Sequence, residues 1–104
     1  MNKLLNIYRL SLDFPDVSGA EQLELLMIRD QIADLKIELN SEEQRFLSEA
    51  DRKLITSSTK IYQELSHFID LADYRKNHNI LPQKWWWYLD VLVSLPSYSI
   101  SAAA

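Results

Sequence analysis

The sequence predicts an all-α protein, and three of its features carry that prediction. Glycine occurs once and proline three times in 104 residues, which is few for a fold built from many short strands and turns. Apolar residues recur at helical steps over most of the chain, as on one face of an α-helix. Hydrophobic residues make up 47% and charged residues 25%, as in an ordinary globular protein. We therefore expect one helical domain spanning residues 1–104.

A short amino-terminal helix is predicted over residues 2–14. Asn2 suits the cap position, and helical spacing is followed by Leu4, Leu5, Tyr8 and Leu12. Apolar and polar residues also alternate from Tyr8 to Phe14, as they would in a half-buried strand. Because a strand needs a neighbour, the alternative is an α+β fold in which this stretch pairs with a strand near the carboxyl end.

The second predicted helix covers about residues 18–39. Ser18 followed by Glu21 is a capping box, in which each side chain accepts a hydrogen bond from an unpaired amide of the first turn. A single apolar stripe at helical spacing then comprises Leu25, Ile28, Ile32, Leu35 and Leu39. This pattern is typical of an amphipathic helix that packs on one side.

The longest predicted helix covers about residues 42–76. Ser41 and Gln44 repeat the capping pattern, and an apolar seam at sevenfold spacing comprises Leu47, Leu54, Ile61 and Phe68. An unbroken helix of this length would extend about 52 Å, whereas a compact chain of this size has a radius of gyration of about 13 Å. The chain therefore either bends at residues 56–59 or finds cover on a second copy. The preserved phase favours continuity, and the short connection predicts an antiparallel hairpin with the helix at 18–39.

A tryptophan-rich helix is predicted after Pro82, which suits a first helical turn. Its inner stripe would be Trp86, Leu89 and Val93, with Trp87 facing away as an exposed anchor. A strand is the competing interpretation, because Trp, Tyr and Val favour strands. Residues 97–104 are expected to form a loosely held tail.

Adjacent large aromatic residues point to an interaction surface. Wound as a helix, residues 85–88 would fan around most of the circumference, so one core face cannot cover all of them. We therefore expect a homodimer, with room for an unidentified protein partner. The predicted partner-binding residues are Trp85, Trp86, Trp87, Tyr88, Ile61 and Phe68.

Other partners and cofactors are disfavoured by composition. The net charge is −4 and no segment is a basic stripe, which argues against nucleic acid and against docking on a membrane surface. The absence of cysteine removes thiolate metal sites and is consistent with a cytoplasmic protein. A single glycine cannot build a phosphate-binding loop. We expect no cofactor, no metal and no catalytic residue.

Two histidines define the alternative function. Glu64 and His67 have the Glu-x-x-His spacing of carboxylate-bridged di-iron bundles, with Asp70 one step further, but such a site needs a second motif that this sequence lacks. Arg75 and His78 resemble by residue type the Arg–His pair of helical ribonucleases of the HEPN class, although fewer residues separate them here than in that class. The alternative is therefore a small helical metal-binding protein or a ribonuclease-like enzyme that uses His67 or His78.

Overall fold

The computed structural model describes residues 2–35 and 38–95. These residues form six α-helices and one 3₁₀ turn: α1 (Lys3–Ser11), α2 (Gly19–Leu35), α3 (Ser41–Thr56), α4 (Ser58–Ser66), α5 (Leu71–His78), the 3₁₀ turn (Trp85–Trp87) and α6 (Leu89–Ser94). The described ranges contain no β-strand, so the all-α prediction is confirmed. The paired-strand alternative is wrong for residues 4–14 and 85–95, and the expected tail at 97–104 lies outside the described residues.

Helix α1 forms where the sequence predicts a short amino-terminal helix. The side chain of Asn2 accepts a hydrogen bond of 2.8 Å from the backbone amide of Leu4, which caps the first turn. One face is buried, through Leu5, Tyr8 and, just beyond the helix, Leu12. The helical spacing therefore identified the inner face of α1 correctly.

Helix α2 begins with the predicted capping box and packs tightly near its start. The Ser18 amide donates to a Glu21 carboxylate oxygen at 3.2 Å, and the Glu21 amide donates to Ser18 Oγ at 3.3 Å. At Gly19 a Cβ atom would lie 2.5 Å from the carbonyl oxygen of Glu64 and 2.6 Å from Cβ of Phe68. Only glycine therefore allows α2 to approach the end of α4 this closely. The described helix runs to Leu35, and residues 36 and 37, which the prediction included, lie outside the described residues.

The single helix expected over residues 42–76 is wrong. Its first interruption is at Ser57, between α3 and α4, inside the run of hydroxyl residues at 56–59. Thr56 Oγ1 donates to the carbonyl oxygen of Arg52 at 2.9 Å, a contact that bends helices. The apolar seam nevertheless stays buried through Ile61 and Leu65, because the interruption is too short to change the helical phase.

A second interruption separates α4 from α5. Asp70 Oδ1 accepts a hydrogen bond from the amide of Asp73 at 3.1 Å, which starts a new helix. That helix ends at Asn79, whose left-handed backbone (φ 51°) lets the amide of Ile80 donate to the Arg75 carbonyl at 3.1 Å. The long seam therefore stops before Phe68, which lies in the connection.

The start of α3 also differs from prediction, because Asn40 and Glu43 form its capping box.

The helices pack around one core in an order that the connections alone do not reveal. Helix α2 packs on α1 and α4, α1 also packs on α3, and α4 also packs on α6. The exact antiparallel hairpin predicted between residues 18–39 and 42–76 is not confirmed, because three helices replace the long one and α2 packs on the second of them, α4. The Cα radius of gyration is 13.4 Å, the value expected of a compact chain of this length.

Helices α1 and α2 run antiparallel, and two polar links fix their relative height. Asp51 of α3 accepts hydrogen bonds from both Tyr8 and Arg29, so these two residues lie at one level. Towards the connection, Gln22 Nε2 donates to the Pro15 carbonyl at 2.9 Å. From the level of Asp51 the chain thus runs from residue 8 up to residue 15, and α2 returns from residue 22 to residue 29. None of the described helices combines the length and the apolar character that crossing a bilayer would demand.

Candidate functional site

One carboxylate, that of Asp30 on α2, binds the tryptophan-rich segment. The indole nitrogens of Trp86 and Trp87 both donate to Oδ1 of Asp30, at 2.7 and 2.8 Å. Lys84 Nζ lies 3.8 Å from the same oxygen. Both indoles are buried, and Trp87 is only 1% exposed. Since a buried donor without a partner costs free energy, Asp30 is what allows two adjacent tryptophans to enter the core.

A second buried network joins α1, α2 and α3. Arg29 is buried and binds Asp51 through two hydrogen bonds, from Nε at 3.0 Å and from Nη2 at 3.1 Å. The Tyr8 hydroxyl donates to Asp51 Oδ1 at 2.7 Å. Burial, reinforced by the charge of Asp51, raises the pKa of Tyr8, so that this hydroxyl stays protonated and remains a donor. The Arg29 guanidinium also lies 4.2 Å from the centre of the Trp86 ring.

A third cluster holds the carboxyl-terminal part against α5. Arg75 binds Asp90 through two hydrogen bonds of 2.6 and 3.0 Å and donates to the carbonyl oxygen of Trp87 at 2.9 Å. Its guanidinium lies 4.4 Å from the centre of the Tyr88 ring, and the Tyr88 hydroxyl donates to the Ile80 carbonyl at 2.7 Å. Burial by itself would raise the pKa of Asp90, but the hydrogen bonds and charge of Arg75 outweigh it and hold that pKa below its ordinary value.

The six predicted partner-binding residues do not form one surface. Trp86, Trp87 and Ile61 are buried, and Trp85 and Tyr88 are half-buried. Phe68 alone among them is strongly exposed, at 55%. The expectation that Trp87 faces solvent is wrong, because its polar neighbours Lys84 and Asp90 turn inward to bond Asp30 and Arg75.

The histidine hypotheses gain no support from the geometry. His67 follows the end of α4 on an exposed connection, and Asp70 is engaged as the cap of α5. Within residues 2–35 and 38–95, no group of three or more side chains of the metal-binding types His, Cys, Asp and Glu converges. Arg75 is engaged by Asp90, while the His78 ring stacks on Tyr74 with centroids 4.0 Å apart.

An apolar groove between α1 and α2 was not predicted. It has a volume of about 370 Å³, and its lining comprises Ile7, Leu10, Ser11, Phe14, Val17, Glu21, Gln22, Glu24, Leu25 and Ile28. Leu10 is 62% exposed and Phe14 is 64% exposed. The signal was present in the sequence as a second apolar row, Ile7, Leu10 and Phe14, on the side of α1 away from Leu5 and Leu12. A helix that is apolar on two sides has one side left for a partner.

Charges lie at opposite ends of this groove. Glu21 and Glu24 line it on α2, and Lys3 continues the exposed row of α1 at its amino end. Glu21 is engaged in its capping box, whereas neither Lys3 nor Glu24 forms an ion pair within the described ranges. The groove thus has an apolar floor with Glu24 in its lining, and Lys3 lies on α1 one turn beyond Ile7, outside the lining.

Comparison with known proteins assigns no family. A scan against protein-family models, a search of curated proteins and a search of solved structures each gave no significant match.

Proposed function

We propose that this chain is a non-enzymatic helical interaction module that self-associates through the groove between α1 and α2. The observation that carries the proposal is the exposed row of Ile7, Leu10 and Phe14, which continues into a groove floored by Leu25 and Ile28. Large apolar side chains grouped on a surface are typical of protein contact sites. Two of the reactive side chains singled out in the sequence, Arg75 and Asp70, form structural contacts.

The reason for self-association differs from the one the sequence suggested. From the sequence, a second copy was needed to cover a long helix and exposed indoles. In the structure the chain divides that helix and covers Trp86 and Trp87 by itself. Self-association follows instead from α1, whose outer side has no cover among the described residues.

The groove fits a second copy because it is self-complementary in shape and charge. It offers protruding side chains, Leu10 and Phe14, beside a hollow of similar character, as a symmetric contact requires. It also carries an unpaired negative side chain, Glu24, and an unpaired positive one, Lys3, lies on α1 one turn beyond Ile7.

The size of the groove predicts a weak dimer. Burying a fully exposed Leu or Phe side chain contributes about 1.5 to 3 kcal/mol, and here each of two such side chains per copy is already partly covered. Association itself costs about 4 to 15 kcal/mol. Standard interfaces involve roughly 20 to 30 residues on each side, more than line this groove. We therefore expect a dissociation constant of about 10 µM to 1 mM.

Sedimentation velocity with a matched pair of variants tests the proposal. Leu10→Asp places a charge in the groove, while Leu81→Asp makes the same change at a leucine of nearly equal exposure, 65%, outside it. The wild type and Leu81→Asp should show a dimer population that grows with concentration up to about 1 mM, and Leu10→Asp should stay monomeric.

Circular dichroism establishes that both variants are folded. A wild type that remains monomeric over the whole range would overturn the proposal. So would a dimer that Leu10→Asp leaves intact, because the contact would then lie elsewhere.

A further inference from the structure

We infer that the self-associated form is a two-fold symmetric dimer in which the α1 helices cross antiparallel, and Lys3 of each copy pairs with the partner's Glu24. The inference rests on the proposed function and adds the register and the charge pairs that specify this partner.

The heights of the two charged residues are fixed by Asp51. Because Tyr8 and Arg29 both bond its Oδ1, they lie at one level on antiparallel helices. Lys3 precedes Tyr8 by five residues on α1, and Glu24 precedes Arg29 by five residues on α2. At the rise of an α-helix, each lies about 7.5 Å from that level, in opposite directions.

This arrangement is the one that a two-fold axis exchanges. An axis perpendicular to α1 at the level of Tyr8 moves Lys3 to the height of Glu24 and Glu24 to the height of Lys3. Within one copy the two are about 15 Å apart along the helices, too far to pair. Between copies they are level. The same axis passes between Ile7 and Leu10, so Ile7 of one copy meets the partner's Leu10.

Both charged side chains are on the required side of the molecule. Lys3, Ile7 and Leu10 follow each other at steps of four and three residues, which places them on one face of α1. Glu24 lines the groove, is exposed and forms no ion pair within the described part of the chain. Glu21 is a poorer candidate because its carboxylate already accepts from the Ser18 amide.

A charge exchange between two variants tests the register. In a Lys3→Glu homodimer two glutamates would face each other at both pairs, and in a Glu24→Lys homodimer two lysines would. In a mixed dimer the Lys3→Glu copy has a glutamate at both positions and the Glu24→Lys copy has a lysine at both, so each of the two pairs again joins a glutamate to a lysine. The contact is at the rim, where charge pairs are individually weak, but two attractions become two repulsions in each homodimer.

We expect each variant alone to dissociate about tenfold more readily than the wild type at low salt. An equimolar mixture should associate more tightly than either variant alone, measured by sedimentation with a fluorescent label on one variant. Lys76→Glu and Glu49→Lys make the same charge changes at exposed positions outside the groove, and both should associate as the wild type does.

The outcomes separate this inference from the proposed function. If the wild type dimerises and Leu10→Asp prevents it, but the mixture is no tighter than either variant alone, the register is wrong and self-association stands. If neither single variant differs from the wild type, the charge pairs are absent. If the wild type does not dimerise at all, the proposed function fails and the register fails with it.

Discussion

Some polar side chains of α2 are exposed or only partly buried. Among these, Asp30 should be the one whose removal destabilises the fold most. Asp30→Ala leaves the indole nitrogens of Trp86 and Trp87 without their shared acceptor. Each buried donor left unpaired costs about 1 to 3 kcal/mol, which gives about 2 to 6 kcal/mol for the pair. Asp30 is only half-buried, so water can reach part of the gap, and we expect about 2 to 4 kcal/mol.

A milder substitution separates the loss of the acceptor from the loss of the charge. Asp30→Asn keeps one carbonyl oxygen as an acceptor but removes the negative charge, so its cost should be about 1 kcal/mol. If Asp30→Asn lowered the free energy of unfolding as much as Asp30→Ala does, charge alone would matter at this position.

Urea denaturation followed by circular dichroism and by tryptophan fluorescence measures these differences. Asp34→Ala is the matched control, because Asp34 is exposed one turn further along α2 and has no hydrogen bond or ion pair among the described residues. A free energy of unfolding for Asp30→Ala within about 0.5 kcal/mol of that of Asp34→Ala would refute the role of Asp30 as the acceptor that stabilises the buried indoles.

Two further predictions concern stability. Gly19→Ala should lower the free energy of unfolding by about 1 to 3 kcal/mol, because the added Cβ meets the backbone of α4. The control is Ala20→Ser, at the exposed next residue, which should change this free energy little. Equal free energies of unfolding for the two variants would exclude the close approach of α2 to α4. Asp90→Asn should cost about 1 to 3 kcal/mol at pH 7 by weakening the bond to Arg75. Since the folded state lowers the pKa of Asp90, this difference is full above its ordinary pKa of about 3.9 and should decrease as the pH falls from there through the lower pKa of the folded state. A difference that stays constant over the whole acid range would show that the ion pair is not its cause.

Much of the fold follows from local patterns in the sequence. Asn2 and the pair of Ser18 and Glu21 start their helices as predicted, because caps are satisfied by residues a few positions away. The buried face of α1 follows from helical spacing for the same reason. That of α2 follows only in part, because Leu25 and Ile32 are buried as predicted whereas Ile28 is half-buried and Arg29 is buried.

The breaks in the long helix were harder to predict. Ser57 interrupts the helix for one residue without changing its phase, so the spacing of Leu54 and Ile61 carries no trace of it. The hydroxyl run at 56–59 was a visible signal, but such residues only weaken a helix, and tertiary packing decides whether it breaks. The cap at Asp70, three residues before Asp73, is a further local signal for the second break.

The burial of the tryptophans depended on a distant residue. Trp87 has polar neighbours in sequence, which suggested an exposed side. Its burial depends on Asp30, 57 residues away, and sequence spacing does not reveal such a contact. The groove, by contrast, has a local signal in the sequence, the second apolar row of α1. The alternation of apolar and polar residues from Tyr8 to Phe14 also suggested a strand there.

Amide chemical shifts recorded over a dilution series test the self-association most directly. A dimer formed through the groove predicts shifts that change with concentration at residues 3–14 and 21–28, which surround it, and remain constant around Trp86 and Trp87. Spectra that are independent of concentration up to about 1 mM, or changes centred on the tryptophan-rich segment, would contradict it.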